Sequence, residues 1–199
     1  MCEVQADNRK PSKCVRLWCR RDACAAGVRG TAGQCAPLPD RCAPYHAVCA
    51  VMERVTSQLY VGNQGDGCNW QALRTEGITA VCNLTEYEFG AADAGFTTLW
   101  LQHPDGELIP TEKIDRFMDW MAERERAGEQ VLIHCQAGVS RTRAFAIAWL
   151  VWSGGVGFHT DLATKWSTYQ DIIGRIRPII MPHALLKKSL IEWLDNHRN

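Results

Sequence analysis

Short apolar runs alternate with stretches in which apolar residues recur every three or four positions, and this pattern begins near residue 51. Leu59-Tyr60-Val61 reads as a short strand. Asn69 is placed to cap a short helix that runs through Arg74 and stops at Gly77. Thr79 to Leu84 is a β-rich run suited to an inner strand, and Thr97 to Leu101 is another. The clearest helix follows. Thr111 stands at its expected N-cap with Glu112 in the first turn, where a carboxylate is favoured. Ile114, Phe117, Met118 and Met121 follow at i, i+3, i+4 and i+7, one apolar face, and Gly128 is the expected stop. Glu123 to Arg126 on the outer face read as solvated surface.

Gln130 to Ile133 forms the next expected strand and runs straight into His134-Cys135. Arg141 to Trp152 is apolar nearly all round, which predicts a central helix ended by Gly154 and Gly155. Two more helices are expected: Asp161 to about Arg175 behind a Thr160 cap, then Pro182 to about Asn196 with Pro182 in the first turn. Strands alternating with helices, then a helical C-terminal block, predict an α/β fold: a central, mostly parallel sheet flanked by helices.

Composition separates off the first fifty residues. Seven of the ten cysteines lie there (Cys2, Cys14, Cys19, Cys24, Cys35, Cys42 and Cys49), with eight Lys/Arg against four Asp/Glu. The segment has two aromatics, Trp18 and Tyr45, and no stripe long enough to build a core. Its cysteines include no C-x-x-C pair and match no zinc-finger spacing, so residues 1–50 are expected to be an irregular, poorly ordered Cys-rich extension. Residues 51–199 are expected to form the working domain. Over the whole chain Lys+Arg (22) balances Asp+Glu (22), which argues against a general nucleic-acid binder. The longest apolar stretch, Ala144 to Trp152, is too short to span a bilayer, and the polar N-terminus lacks a secretory h-region. These features give an expectation of an intracellular, cytoplasmic chain with no membrane insertion. They say nothing about oligomeric state.

The chemistry concentrates in Val131-Leu132-Ile133-His134-Cys135-Gln136-Ala137-Gly138-Val139-Ser140-Arg141-Thr142. A strand here delivers a cysteine onto a tight loop that opens a helix. Successive backbone N–H groups in such a loop converge on one point, and the helix N-terminus adds partial positive charge, which makes a site for a tetrahedral anion. Gly138 permits the backbone such a loop needs, and Arg141 can grip two phosphate oxygens with its planar fork. A cysteine among those dipoles is expected to be a thiolate, poised to attack phosphorus and form a phosphocysteine. The leaving oxygen then needs a proton. Asp105, in the loop Gln102-His103-Pro104-Asp105-Gly106-Glu107, is the candidate acid, later the base toward water, and Glu107 is its rival.

H-C-x-x-G-x-x-R-T with a preceding loop aspartate resembles the cysteine-dependent protein tyrosine phosphatase superfamily. Leu59-Tyr60-Val61-Gly62-Asn63, the Gly77 to Leu84 strand entry, Ala137 to Arg141, and Arg177-Pro178 narrow the resemblance to the small, atypical dual-specificity protein phosphatases over roughly residues 53 to 196. That resemblance implies Cys135 as nucleophile, Arg141 as phosphate clamp and Asp105 as general acid and base. It further implies that Thr142 supports breakdown of the thiophosphate, that His134 orients the loop and tunes the thiolate, and that Gln136, Ala137, Gly138, Val139 and Ser140 supply backbone donors to the phosphate. Arg143 departs from the pattern, standing where many relatives carry a small residue or proline. Pro182-His183 and Leu186 depart from a common Pro-Asn and Phe, which leaves helix docking open.

The resemblance implies a protein phosphatase for phosphotyrosine and phosphoserine or phosphothreonine, with a phosphorylated protein as partner. The alternatives are the same chemistry on a phosphoinositide, inositol phosphate, RNA 5′ end or phosphoglucan, and a non-catalytic phospho-binding module. The five residues between Cys135 and Arg141 are uncharged, whereas relatives acting on polyphosphorylated substrates tend to carry basic residues there. No cofactor is implied, and His103, His159, His183 and His197 show no metal-ligand spacing. Trp120, Trp149, Trp152 and Trp193 read as core. Cys82 reads as a packed hydrophobe, with disulfide capture of an oxidised Cys135 as the alternative.

Overall fold

The computed structural model describes residues 52–154, 161–176 and 182–197. The Cys-rich residues 1–50, Gly155, His159, Thr160 and Arg177-Pro178 lie outside the described residues.

Five strands form one sheet: β1 (Glu53–Arg54), β2 (Leu59–Gly62), β3 (Ala80–Asn83), β4 (Thr97–Trp100) and β5 (Val131–His134). Their order is β1-β2-β5-β3-β4; all neighbours are parallel except β1, which pairs antiparallel with β2. The central strands are buried on both faces, as their continuous apolar runs require. Alternation then assigns each side chain to a layer. Leu59, Val61, Ala80, Cys82, Val131 and Ile133 face the larger core, whereas Tyr60, Val81 and Leu132 face a smaller one with Leu73, Ile78 and Phe96.

The larger core is completed by four helices: α3 (Thr111–Arg126), α4 (Arg141–Ser153), α5 (Leu162–Ile176) and α6 (Ala184–Asn196). The four periodic residues of α3, Ile114, Phe117, Met118 and Met121, are all buried. In α4 every residue from Arg141 to Val151 is buried, so this helix is the centre of the layer. The other face carries α2 (Trp70–Thr75), whose N-terminus Asn69 caps by accepting from the Ala72 N–H at 3.1 Å.

Several expectations need correction at helix ends. Thr111 is the first residue of α3 rather than its cap; Pro110 holds the cap position and no side chain caps the helix. Just before α5 the carboxylate of Asp161 accepts from the Thr164 hydroxyl at 2.6 Å and from the Thr164 N–H at 3.0 Å, which hold it below the usual carboxylate range. Pro182 lies outside α6, and His183 caps it, with Nδ1 accepting from the Leu185 N–H at 3.3 Å. That contact replaces the role an asparagine would fill, and Leu186 is fully buried, so α6 docks despite both departures. Trp152 is not core: it is 44% exposed and lies edge-on to the buried Trp193. Two elements carried no periodic signal, β1 and the short helix α1 (Gln64–Cys68).

Candidate active site

Parallel register brings three strand ends together. Gly62 of β2 and Asn83 of β3 both lie level with His134 of β5. The segments leaving these ends therefore meet at the carboxyl edge of the sheet, where ligands of such folds bind. The Leu84 N–H donates to the His134 carbonyl at 2.9 Å, and the Gln64 N–H donates to the Gln136 carbonyl at 3.2 Å. The cysteine loop is thus fastened on both sides.

Cys135 sits at the loop's base, 2% exposed, and the Gly138 N–H points at its Sγ from 3.3 Å. Gly138 has φ +70, and a Cβ there would stand 2.8 Å from the Gly62 carbonyl oxygen, so glycine is required twice over. Ser140 occupies the N-cap position of α4 without capping it. Its hydroxyl donates instead to Asp105 Oδ1 at 2.7 Å and accepts from the His183 N–H at 3.2 Å. The first-turn N–H groups of α4 consequently have no side-chain cap and are available to an anion.

Arg141 is buried and held by one end. Its Nη1 donates to the Leu84 carbonyl at 3.0 Å and the His103 carbonyl at 2.7 Å, and pairs with Glu86 Oε1 at 3.0 Å. Its Nε is buried without a hydrogen-bond partner among the described residues. A buried, unpaired guanidinium donor is costly, and an anion in the loop is the group that would satisfy it.

The aspartate loop is anchored along its length. Besides the Ser140–Asp105 and Arg141–His103 bonds, Lys113 donates to the Gln102 carbonyl, and the Ile109 N–H donates to Ser189 Oγ of α6 at 3.0 Å. His103 Nε2 lies 3.3 Å from the Glu107 carbonyl, and burial holds its ring below the usual histidine pKa. Of the two acidic candidates, Asp105 is the one bonded to the cysteine loop, through Ser140, among the described residues.

Thr142 is fully buried, and its hydroxyl donates to the Gly62 carbonyl at 3.3 Å. His134 is buried against Gly67, where a Cβ would stand 2.5 Å from its Nε2. Burial pulls its pKa down to about 4, so the ring is neutral at physiological pH. Gln136 to Ser140 connect Cys135 to the start of α4. Cys82 is buried in β3, level with Ile133, and burial pushes its thiol well above the usual range. Cys82 and Cys135 are both free thiols.

Three participants were not anticipated: Glu86 on Arg141, the Glu53–Arg143 pair, and the Asn63–Asp66 capping box that shapes the turn after β2. The last had a readable signal, Asn-x-x-Asp after a strand.

Residues 59–196 match the family described as dual specificity phosphatase, catalytic domain, and the chain belongs to that family. It is 33% identical over 149 residues to dual specificity protein phosphatase 12 of Homo sapiens, covering 71% of this chain and 39% of that protein. It is 32% identical over 108 residues to protein-tyrosine-phosphatase MKP1 of Arabidopsis thaliana, 53% of this chain and 14% of the relative. The chain thus spans less than half the length of either. The fold is shared with the Yvh1 phosphatase domain from Chaetomium thermophilum at a TM-score of 0.64 and 20% identity, covering 73% of this chain and 96% of that one. The expected fold and family both hold. Among the described residues, no helix is long and apolar enough to cross a membrane.

Proposed function

We propose that this domain hydrolyses phosphate monoesters on proteins, phosphotyrosine together with phosphoserine and phosphothreonine, through a phosphocysteine on Cys135. The carrying observation is the buried Nε of Arg141, a donor without a partner among the described residues, at the end of a loop whose cysteine sulfur already faces a loop N–H. In the first step the Cys135 sulfur attacks phosphorus, the P–O ester bond breaks, and Asp105 gives its proton to the leaving oxygen. In the second, water attacks phosphorus, Asp105 takes the water's proton, the P–S bond breaks and the thiolate is restored. The net change is monoester plus water to alcohol plus phosphate.

Asp105 accepts from the Ser140 hydroxyl on Oδ1, which ties the acid's loop to the cysteine loop. Thr142, whose buried hydroxyl donates to the Gly62 carbonyl, is the residue assigned to support the second step. The reading of a protein substrate is supported by the uncharged loop residues Gln136 to Ser140 and by the Glu86 carboxylate on Arg141, which together offer nothing to additional phosphates. Nucleophile, clamp, acid and hydroxyl in one place favour an enzyme over a binding module.

The test is a panel of phosphotyrosine and phosphoserine peptides, a phosphoinositide and a 5′-phosphorylated RNA, run with wild type and Cys135→Ser. The phosphopeptides are expected to turn over fastest, and Cys135→Ser is expected to remove roughly 10⁴-fold or more of kcat/KM while keeping the fold. Turnover of the lipid or RNA far above both peptides would contradict the protein assignment.

A further inference from the structure

We propose that Arg143 is a positioning residue for the phosphate cradle: it aims the Gly138–Val139 peptide, and Glu53 on the edge strand holds Arg143 in place. The proposal rests on reading residues 135–141 as a phosphate-binding loop.

Arg143 lies one position beyond Thr142, in the first turn of α4. Its side chain is fully buried and has no route to a substrate. Nε donates to the Gly138 carbonyl at 3.0 Å, and Nη2 pairs with Glu53 Oε2. Glu53 sits in β1, level with Val61 of β2, so the pair bridges the sheet edge to the start of α4. A buried guanidinium is costly unless paired and hydrogen-bonded, and here both conditions are met by groups that lead to the loop.

The consequence follows from peptide geometry. In a trans peptide the C=O and the next N–H point in opposite directions. Fixing the Gly138 carbonyl on Arg143 therefore turns the Val139 N–H the other way, away from α4's third residue and toward the inside of the loop. The preceding peptide is already set, because the Gly138 N–H points at Cys135 Sγ. Gly138 itself resists rotation weakly, since glycine tolerates both signs of φ. Without Arg143 the 138–139 peptide is free to turn its carbonyl toward the anion, replacing a donor with a repulsive acceptor. Because Glu53 offsets the guanidinium's charge, the device acts through orientation more than through net charge.

The experiment compares full-length wild type, Arg143→Met and Glu53→Gln, each checked for fold by circular dichroism. Two readouts are taken: vanadate affinity, and the ratio of Cys135 alkylation rates by iodoacetate and iodoacetamide at one pH. The ratio isolates anion binding, because both reagents meet the same thiolate but only iodoacetate is charged. For Arg143→Met we expect both readouts to fall about tenfold or more, the scale of a lost oriented donor, and guanidinium ion to restore part of the loss. For Glu53→Gln the expected fall is smaller, about threefold, in the same direction. A folded Arg143→Met with both readouts within about twofold of wild type would overturn the proposal. If Arg143→Met does not fold, Glu53→Gln decides by the same criterion. Wild type lacking both vanadate binding and iodoacetate preference would instead sink the phosphate-loop reading itself.

Discussion

Cys135 and Asp105 are matched opposites at the scale of single residues. The thiol is buried under its own loop, whereas the carboxylic acid is exposed on a loop tethered above it through Ser140. On the proposed mechanism, that arrangement separates the group that would bond to phosphorus from the group that would exchange protons with water. With Asp105→Asn, phosphoserine peptides are expected to slow by about 100-fold, within the usual worth of a general acid, and an activated aryl phosphate by much less. The descending limb of the kcat/KM pH profile is also expected to flatten. If the limb persists, the Asp105 assignment fails and Glu107 becomes the next candidate.

His134 gives a second residue-scale expectation, this time about stability. Its pKa is depressed from 6.5 in the unfolded chain to about 4 in the fold, so between those values the unfolded state binds a proton that the folded state does not. Stability is therefore full above pH 6.5 and falls as pH drops toward 4, by an amount on the order of 3 kcal/mol. His103, lowered by burial too, acts in the same sense. Denaturant midpoints measured from pH 7 to pH 4 check this, and a flat profile contradicts it.

At the scale of elements, the turn at Gly138 is the part with least tolerance. Gly138→Ala places a side chain at φ +70 and against the Gly62 carbonyl at 2.8 Å, so a loss of about 2 kcal/mol is expected together with weakened vanadate binding. Thermal melts and vanadate titration read the two separately. Unchanged vanadate affinity would show that the loop is not set by this turn.

Elements were legible in proportion to how regularly they bury apolar residues. α3 shows one face at helical spacing and α4 is apolar all round, and both appear as expected. α1 was invisible because Gln64-Gly65-Asp66-Gly67-Cys68 has no stripe and two glycines; its capping box and its packing beneath β5 hold it instead. β1 is two residues long and exists by pairing with β2. The cap of α3 lies one residue before its expected position, at Pro110, and α6 begins two residues after Pro182, at Ala184.

Across the whole molecule, local motif and distant support differ sharply in what sequence can reveal. Cys135, Arg141 and Thr142 share one short motif, and Asp105 lies on a loop after a strand, so they could be picked out as candidates directly. Glu86 meets Arg141 from 55 positions away, and Glu53 meets Arg143 from 90. Those partnerships depend on β5 entering the sheet between β2 and β3, an order that no local pattern announces. The same order brings three strand ends to one edge and so creates the site.

The central claim is that phosphate passes through Cys135. Its most direct test is rapid mixing of Asp105→Asn or Thr142→Ala protein with a ³²P-labelled aryl phosphate, denaturing quench within the first turnover, and peptide mapping. The account predicts label on the peptide containing Cys135, lost in Cys135→Ser and on longer incubation. Turnover of the aryl phosphate by the same protein with no label on Cys135 at any time would mean that water attacks phosphorus directly, and the account would fail.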